Sequence, residues 1–114
     1  MNEPLTPSSV PPNVPTVDAD TVFVALGEPS RRRLLLALSD GQFHPARSLG
    51  GTYPKHFDNN SKHLDVLVKA GLVESEYDPG NKRRQHYRLA PFVKVTATPE
   101  GGRTMDFGHC IVRL

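Results

Sequence analysis

Gly71 separates two patterns that belong to different kinds of secondary structure, and no other point limits the fold as strongly. Before it, Leu64, Leu67 and Val68 recur with the spacing of one helical face, behind a polar front of Asn59, Asn60, Ser61, Lys62 and His63. After it, Leu72-Val73-Glu74-Ser75-Glu76-Tyr77 alternates as a strand does. A glycine at that junction fits the left-handed position that closes a helix. Asp78-Pro79-Gly80-Asn81 then has proline and glycine where a type II turn needs them, and Lys82 to Leu89 returns as a second strand. The short loop makes the two strands an antiparallel hairpin.

Upstream, Val17 to Leu26 reads as a short helix with Asp18 and Asp20 in its first turn, where acids complement the helix dipole, and Gly27 stops it. Pro29 opens a second helix through Arg31, Leu34, Leu35 and Leu38, ending at Asp40-Gly41. A short helical piece, Ala46 to Leu49, follows Pro45 and breaks at Gly50-Gly51. The polar-fronted helix starts between Pro54 and Asp58, with Asp58–Lys62 and Asp65–Lys69 as i, i+4 pairs. Beyond Pro91, residues 92–98, 103–107 and 110–114 form three β-like runs split by Pro99-Glu100-Gly101-Gly102 and by Gly108. The expected class is α+β: a winged helix-turn-helix of three to four helices plus a β-hairpin wing, with a β-rich C-terminal extension.

The chain has 114 residues, enough for one domain. Residues 1–16 hold five of the eleven prolines and read as a disordered arm, because they cannot bury enough surface to offset their ordering entropy. Residues 17–91 form the winged domain, and 92–114 the extension. The net charge of +2 excludes a general polycation. Its distribution is uneven: Glu3, Asp18 and Asp20 give −3 over residues 1–20, and Lys82, Arg83, Arg84 and Arg88 give +4 over residues 82–88. Such a local basic cluster suits a nucleic-acid patch, or a solvated hairpin edge. No run approaches the about 18 apolar residues that span a bilayer. The expected location is the cytoplasm.

Two segments resemble ArsR-type winged-helix repressors. Ala25-Leu26-Gly27-Glu28-Pro29-Ser30-Arg31-Arg32-Arg33-Leu34-Leu35 is similar to that family's opening of the second helix, and Ser61 to Val73 resembles its recognition segment. The hairpin with Arg84, His86 and Tyr87 is similar to its wing. The likeness covers about residues 20–90. It implies a homodimeric repressor on inverted repeats of double-stranded DNA, associated with the nucleoid, with a recognition helix at about 57–70 in the major groove and a wing at 72–89 on the backbone. The family's metal ligands have no counterpart: Phe43 to Leu49 holds no cysteine, and strands replace the usual C-terminal helix.

The resemblance places Ser61, Lys62 and His63 toward the major groove. Short polar side chains there reach base edges, and a lysine reaches guanine or phosphate. Asn59 and Asn60 either pair with adenine or simply favour the helix start. Lys82, Arg83, Arg84 and Arg88 are the expected wing contacts, with the tip favoured for phosphate. Strand alternation puts Arg84, His86 and Arg88 on one face and Arg83, Gln85 and Tyr87 on the other, with Tyr87 in the core. Arg31, Arg32 and Arg33 lie about 100° apart on a helix and cannot share one direction: the run reads as a solvated helix face, or as one phosphate contact with its neighbours in salt bridges.

The five histidines, at 44, 56, 63, 86 and 109, show no zinc-site spacing, and Cys110 stands alone, so neither a metal nor a cofactor is expected. No nucleophile elbow, phosphate loop or carboxylate pair suggests an enzyme. Two other readings fit the same pattern: a winged-helix protein–protein module, and a ligand-responsive sensor with its effector site in the C-terminal region. The apolar β pattern of 92–114 suggests a strand-mediated dimer interface.

Overall fold

The structure, a computed structural model, describes residues 17–49 and 57–114, apart from the side chains of residues 57–59 and 82. The proline-rich arm and the break at Gly50-Gly51 lie outside the described residues.

Among the described residues, three α-helices come first. α1 (Ala19–Leu26) is capped by Asp18, whose carboxylate accepts from the Thr21 backbone N–H. α2 (Pro29–Ala37) starts with its proline in the first turn and Glu28 as cap, accepting from Ser30 N–H. β1 (His44–Pro45) leads into a 3-10 turn (Ala46–Ser48), and α3 (Phe57–Lys69) follows. α3 ends as expected: Gly71 has φ +83°, and the Leu72 N–H reaches back to the Leu67 carbonyl.

The described residues also form two three-stranded antiparallel sheets. In the first, β2 (Val73–Asp78) and β3 (Asn81–Leu89) form the hairpin, and β1 pairs with the other side of β3, giving the order β1-β3-β2. β1 has no counterpart in the sequence reading. The turn differs as well: Gly80 is not among the glycines with positive φ, so it is not the type II turn expected, and the Asp78 carboxylate instead caps Gly80 N–H at 2.8 Å. In the second sheet β4 (Lys94–Ala97), β5 (Arg103–Asp106) and β6 (Ile111–Arg113) form a meander in the order β4-β5-β6.

One core serves both sheets. Val22, Leu34, Leu35, Leu38, Leu64, Leu67 and Leu72 join Tyr87 and Leu89 of the hairpin and Met105 and Phe107 of the meander in a single buried cluster. The row Val95–Met105–Val112 faces that core, while Lys94, Thr96, Thr104, Asp106, Ile111 and Arg113 occupy the two outward rows. The apolar residues of 92–114 are therefore largely spent inside the chain's own core. No described helix is long and apolar enough to cross a membrane.

Candidate nucleic-acid interface

The buried stripe of α3 fixes what its other faces present. Leu64 and Leu67 are fully buried, so Lys62, about 200° from Leu64, must face solvent, and it is exposed. Ser61 lies about 100° to one side of Lys62 and His63 about 100° to the other. The three expected groove residues thus wrap the front of the helix rather than share one direction.

Ser61 faces the hairpin. There a cleft of about 470 Å³ is bordered by Pro45, Ala46, Arg47, Ser61, Asn81, Arg83, Arg84, Gln85 and Tyr87. Among the described residues, three guanidinium groups and no carboxylate line it, and Arg47, Arg83 and Arg84 make no salt bridge. Such a cleft attracts a polyanion.

Adjacent arginines of a regular strand point to opposite faces, yet Arg83 and Arg84 both border this cleft. The reason lies in the register. Tyr77 pairs with Gln85, but its neighbour Asp78 pairs with Asn81, so residues 82–84 stand outside the ladder as a bulge. Asn81 braces that bulge by accepting from Arg83 N–H at 3.0 Å. The hairpin tip is thereby released from alternation and turned toward α3.

The other expected residues are placed differently. Asn60 donates to the Leu49 carbonyl at 2.6 Å, tying the front of α3 to the turn after β1. His63 is half-buried and accepts from Arg31 Nη1 at 3.2 Å through Nδ1. Arg88 belongs elsewhere: it donates to Glu74 Oε1 at 2.8 and 2.9 Å, lies 4.6 Å above the centroid of the Phe43 ring, and lines a second cleft with Asp40 and Val95. That pairing neutralises its charge on the far side of the hairpin, so it is not brought together with Arg83 and Arg84. The backbones of Asn59 and Lys82 sit at the front of α3 and at the hairpin tip.

Among the described residues Arg31 to Arg33 make no salt bridge, and of the three only Arg33 is exposed. Arg31 Nε donates to the Ala25 carbonyl at 2.5 Å and Arg32 Nη1 to the Leu26 carbonyl at 2.6 Å, so two side chains from α2 cap the C-terminus of α1. Arg33 donates to the Ser30 hydroxyl. Glu28 faces this cluster, and its carboxyl is held below the ordinary range, chiefly by Ser30 N–H.

Arg47 and Tyr77 went unnoticed in the sequence. Arg47 is a lone cation next to a two-residue strand, and it enters the cleft only because β1 pairs with β3. Tyr77 is 59% exposed beside Gln85 on the hairpin. Tyr87, buried as expected, donates to Gln85 Oε1, and burial pushes its hydroxyl pKa up. The described residues contain no group of three metal-ligating side chains.

These features are compatible with a helix-turn-helix domain. Over 65 residues the chain is 38% identical to a protein named as an uncharacterized HTH-type transcriptional regulator, YdfF, of Bacillus subtilis (strain 168). The match covers 57% of this chain and 27% of the relative, so the chain spans about a quarter of that protein's length. The similarity supports an HTH-type regulator family. No protein-family model matches the chain. No solved structure matches it either.

Proposed function

We propose that this protein is a sequence-specific, double-stranded DNA-binding transcriptional regulator with an ArsR-like winged helix-turn-helix. The observation that carries the proposal is the trio Arg47, Arg83 and Arg84, without a salt bridge among the described residues, in a cleft that Ser61 of α3 completes, next to exposed Lys62. In this reading the front of α3 enters the major groove, with Lys62 central and Asn59, Ser61 and His63 flanking it. The hairpin tip, Lys82 to Arg84, lies on the phosphate backbone. Arg88 supports the hairpin through Glu74 and Phe43. The regulator acts as a repressor by occupying its operator, in the cytoplasm on the nucleoid.

Selection of bound sequences from random duplex DNA tests the reading, and enrichment of an inverted repeat is expected. In electrophoretic shifts the double substitution Lys62→Ala/Arg84→Ala is expected to weaken binding to the selected site. Unchanged binding by that variant sinks the assignment.

The reading includes a homodimer joined through the C-terminal extension. Arg103 bonds with Leu114 and Phe107 with Cys110, at the two ends of the β5–β6 pairing, and Met105 lies opposite Val112, which leaves the backbone groups of Ile111 and Arg113 directed at the open edge. Two such edges can pair antiparallel about a two-fold axis. Ile111→Pro removes one outward N–H per chain and is expected to shift sedimentation from dimer to monomer. A dimer of unchanged strength in that variant rejects this interface.

A further inference from the structure

We propose that Arg31 is a positioning residue of the recognition surface, holding His63 so that its ring presents one hydrogen-bond donor, Nε2–H, to an acceptor on the DNA duplex. The inference rests on the DNA-binding reading and adds to it a chemical role for His63 and a device that sets it.

The first step is a matter of proton accounting. A guanidinium has five donors and no acceptor. The contact between Arg31 Nη1 and His63 Nδ1 at 3.2 Å is therefore a hydrogen bond only if Nδ1 carries a lone pair. In a neutral imidazole the proton then sits on Nε2. Nε2 makes no hydrogen bond among the described residues, and no buried side-chain nitrogen or oxygen there lacks a partner, so Nε2 is open to solvent.

The second step is mechanical. Arg31 is itself fixed, donating through Nε to the Ala25 carbonyl at 2.5 Å and through Nη2 to the Val24 carbonyl at 3.4 Å. One planar guanidinium thus joins the end of α1 to a ring on the face of α3. Its fork geometry leaves little freedom to the ring it holds. His63 lies on the flank of α3 opposite Ser61, so the donor it offers is separate from the cleft of Arg47, Arg83 and Arg84. The partner has an acceptor atom: guanine N7 or O6, adenine N7, thymine O4 or a phosphate oxygen.

The test uses the full chain with His63→Ala, Arg31→Gln, the pair together, and Arg31→Lys. Binding is measured on a site selected from random duplexes and on non-specific duplex at the same salt. His63→Ala leaves the Arg31 clamp on α1 in place, so it reports on the ring alone. His63→Ala and Arg31→Gln are each expected to weaken binding to the selected site by roughly five- to tenfold. The double variant is expected to lose no more than either single change, because both act through one ring. Arg31→Lys, which keeps a charged donor, is expected to recover part of the loss.

Repeating the selection with His63→Ala identifies the acceptor. A relaxed preference at one base position assigns a base edge, and a uniform loss assigns a phosphate. Losses that multiply in the double variant overturn the proposal. So does an Arg31→Gln loss whose distribution over selected and non-specific DNA differs from that of His63→Ala, since both act through one ring. Long-range proton–nitrogen NMR spectra of the DNA-free protein add an independent reading. His63 is expected to show an unprotonated Nδ1 that changes in Arg31→Gln, and an Nδ1–H tautomer in the native chain overturns the proposal whatever the protein binds. An intact spectroscopic signature with no selected DNA sequence places the failure in the DNA-binding reading instead.

Discussion

Removing Arg83 and Arg84 together should halve the salt dependence of DNA binding. Four cations per chain are assigned to phosphate: Arg47, Arg83 and Arg84, which border the cleft and make no salt bridge among the described residues, and Lys82 at the hairpin tip. Each phosphate neutralised contributes about −0.9 to the slope of log affinity against log salt. Four contacts give about −3.6 per protomer, or about −7 for a dimer. Raising salt from about 50 to about 200 mM then weakens the native protein by about 2 × 10⁴-fold. In Arg83→Ala/Arg84→Ala the slope falls to about −3.6 for the dimer, and the same salt step costs only about 150-fold.

Arg88→Ala is the matched control. It removes a cation from the same strand, but one already bound to Glu74 and stacked on Phe43, so the slope should not change. Fluorescence anisotropy across a salt series, on one selected duplex, measures all three proteins. The ratio of slopes carries the reasoning, since it is independent of stoichiometry. A double variant with the native slope, or an Arg88→Ala variant that flattens it equally, would refute the assignment.

Phe107→Ala should destabilise the whole domain by about 3–5 kcal/mol, because Phe107 is fully buried in the core shared with α1, α2 and α3. A small loss, or a separate early unfolding step in urea, would show that the meander is an appendage. Gly71→Ala should cost about 1 kcal/mol or more by chemical denaturation, since φ is +83° and the new Cβ would approach Val17 Cγ2 at 3.2 Å. The Asp40 carboxyl is held below the usual range, first by Gln42 N–H and then by His44. A depressed folded-state pKa lends stability that is complete above the ordinary carboxylate range and is lost as pH falls through the folded value. Asp40→Asn should therefore melt lower than the native chain near neutral pH, with the gap closing on acidification, and a gap that persists in acid would contradict this.

The elements that the sequence displayed openly are those whose signals are local. Asp18, Gly27, Pro29 and Gly71 act on their own turn of chain, so α1, α2, the end of α3 and the hairpin could be read without tertiary information. What stayed hidden depends on distant partners. β1 is two residues long and exists only because His44 and Pro45 meet Tyr87 and His86. Its pairing carries Arg47 to the cleft, so the cation was illegible for the same reason as the strand. The triple arginine run misled in the opposite way. Its charges suggested solvent or phosphate, but the open carbonyls ending α1 lie within reach of Arg31 and Arg32 and bind them first.

The hairpin shows why charge counted along a sequence is a poor guide to charge presented in space. The block from Lys82 to Arg88 looked like one cluster, and regular alternation would have put Lys82, Arg84 and Arg88 on one face and Arg83 on the other. The bulge at 82–84 changes the division by turning both Arg83 and Arg84 to one side, while Arg88, back in the ladder, meets Glu74 across the strand pair. A near-neutral chain thus concentrates positive charge at one place without a high total. The same bulge limits how the site can change. Insertion or deletion of one residue between Tyr77 and Gln85 would shift the register and return the arginines to opposite faces, leaving composition and net charge almost untouched while dispersing the cleft.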